Sequence, residues 1–446
     1  MTDFDVIIAG AGVAGVAAAA AMRDFGWRVL IVEPGQHMER RLSGELLHPR
    51  CVAGLAQLGL ASNEFLSEAA TIRGVAVLPD STGEEHAIRL PFERYMNDPT
   101  AAMALEQSRL RARLIEALSR FAFVELMEGA RVVSADLTDH RSARVVIRSK
   151  TASSMLSCRL LIAADGSSSP LRRLAGIPHS RRAVSTLTGY VLGKENLPLP
   201  GLGHVFLGGP SPIFAYEIGA GRVRVLLDHP IQRRAVPVDT YRAALIAALP
   251  QRLGSELEKT VHTQRSVSFV SCEILVSSAA HGRMALVGDA GGAVHPITAT
   301  GMTASVSDAL GLRQALCEAC GDVTIGLRLY ARRRRGRQRA RVFLARALHE
   351  AASGTGISAQ TVRDGLVRYL SEDERGRGAS MRILTMHDTH MRSILYELLQ
   401  VILYGVDLRG STAVRPEWTH LFRHSQLVWS LPATIARHVA ASIRAQ

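Results

Sequence analysis

The sequence predicts an α/β protein in which a Rossmann-like domain is interleaved with a sheet-rich domain and followed by a helical region. Three observations support this class. The chain opens on an apolar strand, a glycine-rich turn and an alanine-rich helix; two further apolar strands ending in Asp-Gly or Gly-Asp turns recur at 159–172 and 283–310; and the intervening stretches carry strand and turn signals, whereas the chain after 346 carries helical spacing.

A chain of 446 residues, 47% hydrophobic, buries a large core and exceeds the usual size of one domain. Its five cysteines (Cys51, Cys158, Cys272, Cys317, Cys320) are odd in number and scattered, which argues against a disulfide framework and for a reducing cytoplasm. Cys317 and Cys320 form one C-x-x-C, but no second pair or spaced histidine completes a structural zinc site, so no metal is expected. Asp3 and Asp5 precede the first strand and no run of eighteen apolar residues occurs, so neither a signal peptide nor a membrane span is expected. The net charge of +13 (53 − 40) arises partly from "ARRRRGRQRARVFLARALHE" (331–350). No aromatic platform is interleaved with its arginines, so a solvated or ion-paired helix face is expected rather than a nucleic-acid site, with anionic lipid as the alternative.

The first stretch, "FDVIIAGAGVAGVAAAAAMRDFGWRVLIVEPG", reads as strand, turn, helix and strand. Val6 to Ala9 are strand-prone and Ala17 to Met22 are strong helix formers. Between them Gly10, Gly12 and Gly15 form G-x-G-x-x-G: Gly10 permits the turn, Gly12 lets backbone approach a pyrophosphate, and Gly15 lets helix and strand pack closely. The helix N-terminus supplies free N–H groups and partial positive charge for the anion. Glu33 ends the second strand 23 residues after Gly10, where a carboxylate can accept hydrogen bonds from a ribose. The motif predicts a dinucleotide and leaves NAD and FAD open.

In "RLLIAADGSSSPLR" (159–172) an apolar strand leads into Asp165-Gly166, with Ser169 and Arg172 following. A surface turn would explain Asp-Gly alone, but D-G-x-x-S-x-x-R is rarer. "RMALVGDAGGAVHPITATGMTASVSDAL" (283–310) adds a third strand, Gly288-Asp289-Ala290, Pro296, and Gly301-Met302 opening a helix. An acid closing a strand can hold a ribityl hydroxyl, and a proline turn before a helix N-terminus can face the rest of a flavin.

With these motifs in this order, the chain resembles the FAD-dependent monooxygenases of the aromatic-hydroxylase superfamily, and within it squalene epoxidase and the bacterial polyene epoxidases. "RLSGELLHP" (41–49) is similar to the epoxidases' Arg-x-x-Gly-Glu-Leu-Leu-x-Pro, "SPIFAYEIGAGRVRVLLD" (211–228) to their substrate-domain hairpin, and "HPITATGMTASVSDA" (295–309) to their His-Pro-x-Thr-x-x-Gly-Met-Thr turn. The resemblance implies FAD, held in a FAD-binding domain of the glutathione-reductase type. It makes Glu33 a ribose ligand, puts Arg41 and Glu45 beside the cofactor, and places Gln107 and Arg109 where relatives carry a flavin-binding Gln or Arg. Asp165 and Asp289 become further FAD contacts, and Pro296, Gly301 and Met302 lie near the isoalloxazine ring. One departure stands out: where the family reads Thr-Gly-Gly-Gly-Met, this chain has Thr298-Ala299-Thr300-Gly301-Met302, so two side chains stand where backbone would approach the flavin. The epoxidases' N-terminal membrane anchor is not expected.

Because the motifs are dispersed, the FAD-binding domain is expected over 1–72, 100–180 and 266–345, with a substrate-binding β-sheet domain over 73–99 and 181–265. "ENLPLPGLG" (195–203) is expected as a loop and "SKTASSMLS" (149–157) as a polar hairpin. The region 346–446 is expected to be helical: Leu395, Leu398, Leu399 and Ile402 recur at helical spacing, and "SQLVWSLPATIARHVAASIRAQ" is similarly apolar. A helical cap on the core is one reading, and peripheral membrane contact is the other.

The resemblance implies a monooxygenase that transfers one oxygen atom of O2 to a lipophilic unsaturated or aromatic small molecule, by epoxidation or hydroxylation, through a flavin C4a-hydroperoxide. NAD(P)H would reduce the flavin, either bound transiently or through a separate flavin reductase; no second G-x-G-x-x-G marks a standing NADPH domain. His295 and Tyr216 are the catalytic candidates, and Phe92, Tyr95 and Tyr216 the substrate contacts, each with an ordinary structural role as its alternative. Two rivals remain: an isoprenoid saturase of the geranylgeranyl-reductase type, which shares "GDAGG" but whose Tyr-x-Trp-x-Phe-Pro signature is absent, and a non-catalytic flavoprotein scaffold.

Overall fold

The computed structural model describes residues 2–35, 45–96 and 100–406. Its central sheet runs in the order Ala280–His281, Met284–Leu286, Ser153–Ala163, Phe4–Ala9, Val29–Glu33 and Val124–Glu128, with the hairpin strands Arg131–Asp136 and Ala143–Arg148 attached to Ser153–Ala163. The central pairings are parallel, with Ile8 opposite both Ile162 and Ile31. Parallel strands covered on both faces must be apolar throughout, and "VIIA" (6–9) is so for that reason. Val6 and Ile8 point into one core with the helices Val13–Ala21, Gln107–Leu118 and Gly301–Glu318, while Ile7 and Ala9 point into the other, against Val132, Val145 and Leu171. The alanine run of Val13–Ala21 keeps that helix slim enough to pack between the sheet and Gly301–Glu318.

The second sheet has seven strands, in the order Val267–Val276, His179–Gly193, Arg222–Pro230, Ile213–Glu217, Gly203–Phe206, Gly74–Leu78 and Ile88–Pro91. Along Arg222–Pro230 the residues Val223, Val225 and Leu227 face a core closed by Tyr241, Leu245, Leu253 and Leu257 of two covering helices. The intervening positions, Arg224 and Leu226, face the central sheet's side of the molecule and line or border the cleft. The sequence-derived boundary at 266 needs correction. Val267–Val276 pairs along its length with His179–Gly193, Phe269 opposite Leu187, so the chain returns to the central sheet only at Ala280. The boundary at 345/346 likewise falls inside one 31-residue helix, Val323–Ser353.

The 149–157 hairpin forms as expected, closed by Ser149 N–H donating to the Ala152 carbonyl. In the helical region, Ile394, Leu395 and Leu398 of Met391–Gly405 pack on Ala340 and Phe343 of the long helix, leaving Tyr396 and Leu399 exposed. "SQLVWSLPATIARHVAASIRAQ" lies outside the described residues. Among those described, no helix is long and apolar enough to cross a membrane.

Candidate cofactor and substrate cleft

The three glycines of the first turn have three separate roles. Gly10 has φ +105°, a conformation other residues avoid. A Cβ on Gly15 would lie 1.8 Å from the Gly10 carbonyl oxygen, so only glycine lets this helix sit on its strand. Gly12, at the N-cap, has nothing within 4 Å of a built Cβ and makes no side-chain cap, so the first-turn N–H groups face open space suited to a pyrophosphate. Glu33 is buried: its Oε2 accepts from Ala11 N–H at 2.6 Å and its Oε1 from Gly35 N–H at 3.3 Å. The guanidinium facing it is Arg111, 3.6 Å away, with Nε and Nη2 otherwise unbonded. Arg109, two residues earlier on the helix, points to the opposite side, exposed and 3.9 Å from Glu68. Gln107 does line the cleft, with its Oε1 buried and unbonded. Arg41 lies outside the described residues.

The second motif fastens itself to the third. Asp165 Oδ2 accepts from Leu171 N–H at 3.0 Å and Ser169 Oγ from Arg172 N–H at 3.0 Å, capping the short helix Pro170–Leu174. Asp165 Oδ1 is buried without a partner, and burial pushes its carboxyl above the ordinary value. The buried Arg172 donates to the Ala290 and Ser167 carbonyls at 2.7 and 2.9 Å. Arg334 binds Asp308 at 2.8 Å and the Gly291 carbonyl at 2.6 Å, while Asp308 accepts from Gly288 N–H at 3.1 Å. The Gly288–Gly292 loop is thus gripped from beneath, and Asp289 faces the cleft with its carboxyl pushed up by the surrounding protein, against the pull of Arg341 and Arg334.

The turn Pro296–Met302 closes one end of the cleft. Ala299 takes φ +50°, the left-handed conformation. Thr300 does not stand free: its hydroxyl accepts from Arg341 Nε at 3.3 Å and lies 2.8 Å from the Thr298 hydroxyl. The buried His48 Nε2 is 2.9 Å from the Thr298 carbonyl, which can only accept, so the His48 proton resides on Nε2. Burial holds the His48 pKa down.

Opposite stands the second sheet. Tyr216 and Arg224 are cross-strand partners, and both reach Glu45: Arg224 by a bidentate pair at 2.9 and 2.7 Å, Tyr216 by donating its hydroxyl at 3.3 Å. The chamber has a volume of about 390 Å³ and carries Val75, Val205, Phe214, Leu226 and Phe269 on one side and Pro296, Gly301 and Met302 on the other. Phe92 and Tyr95 are not brought here. Phe92 is buried with Leu370 and Met381, and the Tyr95 hydroxyl donates to Glu374 at 3.3 Å.

His295 lies behind the turn in a buried cluster. Its Nε2 is 3.5 Å from Asp228 Oδ2, and His349 Nε2 is 3.1 Å from the same oxygen. Two imidazoles and a carboxylate at this spacing could surround a metal ion. The Ile297 N–H, however, donates to His295 Nδ1 at 3.2 Å, which puts the ring proton on the nitrogen facing Asp228, whereas a metal-binding imidazole needs that nitrogen bare and the other protonated. The geometry therefore favours a buried charge cluster, with His349 hydrogen-bonded to Asp228 and His295 beside it, over a metal site.

Five residues that matter here were not singled out from the sequence: His48, Arg111, Arg224, Arg334 and Arg341. For Arg224 a signal existed. In "RVRVLLD" the alternation that sends Val223, Val225 and Leu227 into the core sends Arg224 to the other face. The basic run also resolves: Arg333 pairs with Glu318 on the surface, while Arg334 and Arg341 are buried against the cofactor loops.

The profile of the family described as "FAD binding domain" matches residues 3–345. Squalene epoxidase 3 from Arabidopsis thaliana is 31% identical over 328 residues, 71% of this chain and 60% of that protein. The chain thus spans about three fifths of that relative. Among solved structures, p-nitrophenol 4-monooxygenase PnpA from Pseudomonas putida aligns with TM-score 0.69 at 17% identity over 89% of this chain and 98% of its own. Klebsiella pneumoniae HpxO, complexed with FAD and uric acid, aligns with TM-score 0.70 at 23% identity, covering 89% and 97%.

Proposed function

The chain belongs to the FAD binding domain family, and on that premise we propose that it is an FAD-dependent monooxygenase acting on a lipophilic unsaturated or aromatic small molecule. The observation that carries this reading is the cleft itself, whose wall of Val75, Val205, Phe214, Leu226 and Phe269 offers apolar contact opposite the Pro296–Met302 turn. Such a wall favours a hydrocarbon surface and repels water.

The residues fit the cofactor. The open space at Gly12 and the uncapped helix behind it suit a diphosphate, Glu33 with Arg111 suits a ribose, and the unbonded Gln107 Oε1 and the cleft-facing Asp289 are polar groups awaiting partners. When bound, FAD supplies the two-electron chemistry and the activation of O2. The chain's own contribution is position and dryness. Glu45, held by Arg224 and Tyr216, ties the segment before His48 to the second sheet, and His48 Nε2 holds its proton on the Thr298 carbonyl and so fixes the turn. NAD(P)H is the source of electrons, delivered directly or by a flavin reductase. All five cysteines are free, which supports a cytoplasmic setting, and the exposed Tyr396 and Leu399 support peripheral contact with a membrane surface.

The test is anaerobic mixing of the FAD-loaded protein with NADH or NADPH, then air and a panel of lipophilic alkenes and arenes, followed by product mass. Substrate-stimulated O2 consumption and a product heavier by one oxygen atom are expected. A product that gains two hydrogens without O2 consumption would overturn the reading. Flavin that neither nicotinamide reduces, but that an added flavin reductase does, assigns electron delivery to a partner.

A further inference from the structure

The inward-facing arginines of the long helix Val323–Ser353 are compensated in different ways, and buried Arg341 has no carboxylate in contact with it. Arg333 pairs with Glu318, Arg334 with Asp308, and Arg346 with Glu273, each at 2.9 Å or less. Arg341 is buried, 6% exposed, yet its hydrogen-bond partners are two neutral groups, Thr300 Oγ1 at 3.3 Å and Gln338 Oε1 at 3.2 Å. Among the described residues no carboxylate lies within ion-pair distance of it. Asp289 and Asp308 act on it only from beyond contact distance, so burial still disfavours its charge and a further negative group in the cleft would be held there.

Its location says what that would be. Arg341 lines the cleft with Asp289 and the turn Thr298–Met302, just before the N-terminus of Gly301–Glu318, whose dipole adds positive potential at the same place. The glycine-rich turn takes the diphosphate and Glu33 the adenosine ribose, so the flavin half runs the other way, into the region that Arg341 borders. An oxidised flavin ring is neutral, whereas a two-electron-reduced ring loses a proton near neutrality and becomes an anion. Thr300 holds the guanidinium in place: its oxygen accepts from Arg341 Nε, which leaves its own proton for Thr298 Oγ1.

We propose that Arg341, held by Thr300, is the counter-charge for reduced FAD, binding the reduced cofactor more tightly than the oxidised one and so raising its reduction potential. The threonine in a position the related turns give to glycine is then the tether of that charge rather than an obstruction. The inference rests on FAD binding alone and not on the oxygenation reading.

The test is spectroelectrochemical titration of the FAD-reconstituted full chain, with FAD affinity measured in both redox states. Arg341→Gln should weaken reduced FAD at least tenfold relative to oxidised FAD, which is a fall of about 30 mV in the two-electron midpoint. Arg341→Lys should retain most of the wild-type potential, and Thr300→Gly should lower it part of the way. Equal weakening of both redox forms with an unchanged midpoint would assign Arg341 to the diphosphate or to packing and overturn the proposal. Should Arg341→Gln fail to fold, an unchanged midpoint in Thr300→Gly would overturn the tethered counter-charge on its own. Because no substrate enters the measurement, a failure to oxygenate leaves its outcome intact.

Discussion

Replacing Arg224 with methionine should destabilise the junction between the two sheets by stranding the buried Glu45 carboxylate. Glu45 is 2% exposed and Arg224 7%, and their two hydrogen bonds, at 2.9 and 2.7 Å, satisfy both carboxylate oxygens. Without the guanidinium, Glu45 keeps only the Tyr216 hydroxyl at 3.3 Å, and a buried carboxylate is left without a cation. Removing one partner of a buried pair typically costs about 3–5 kcal/mol, whereas replacing both with neutral groups of similar volume is close to neutral. Against a total stability of about 5–15 kcal/mol the single change is large. The assay is urea unfolding of the FAD-free protein, followed by circular dichroism, for Arg224→Met, Glu45→Gln and the double variant. Arg224→Met should lose at least about 3 kcal/mol, and the double variant should return to within about 1 kcal/mol of wild type. A double variant as unstable as Arg224→Met, or a single variant that loses less than about 1 kcal/mol, would refute the claim that a stranded carboxylate is the cause.

Two further expectations follow from the same geometry. His204 is 2% exposed, and burial pushes its pKa down from 6.5 to about 4; its Nε2 accepts from Leu199 N–H and its Nδ1 has no partner. The lowered pKa means that the stability tied to neutral His204 is complete above pH 6.5 and is lost as pH falls toward 4, by about 3 kcal/mol (2.5 units at 1.36 kcal/mol each). His204→Phe should flatten the urea midpoint between pH 6.5 and 4, and an unchanged slope would show that other groups govern it. The glycines of the first turn should separate folding from binding. Gly15→Ala forces a Cβ onto the Gly10 carbonyl and should lower both stability, by about 1–3 kcal/mol, and FAD affinity. Gly12→Ala meets nothing in the chain, so it should leave the FAD-free protein's melting temperature unchanged while weakening FAD binding; equal FAD affinity in wild type and Gly12→Ala would move the diphosphate elsewhere.

What the sequence reveals and what it hides divide along a physical line. The glycine spacing, Glu33 and the Asp165 and Asp289 turns are legible because backbone geometry near a strand end tolerates few residue types, so the type reports the position. The hairpin 211–228 is legible because its alternation and its glycine turn are local. Arg111, Arg224 and Arg341 are hidden because an arginine is tolerated almost anywhere, and only the tertiary fold decides which one points inward. Arg109 and Arg111 sit on the same helix, and both readings fit its sequence; the packing of Leu110 and Leu114 into the core turns Arg109 outward and leaves Arg111 beside Glu33. The strand Val267–Val276 is misplaced for a related reason. Its pattern announces a strand, but the partner, His179–Gly193, is some ninety residues away and cannot be read from the strand itself. The basic run shows the limit most sharply: its composition suggests a solvated face, yet the helix turns Arg334 and Arg341 inward every seventh residue, onto the loop and the turn that flank the cleft, while Arg333 stays outside. Charge composition therefore says how much positive charge the helix carries, and the helix period, set against what the helix packs on, says that part of it is turned inward rather than to solvent.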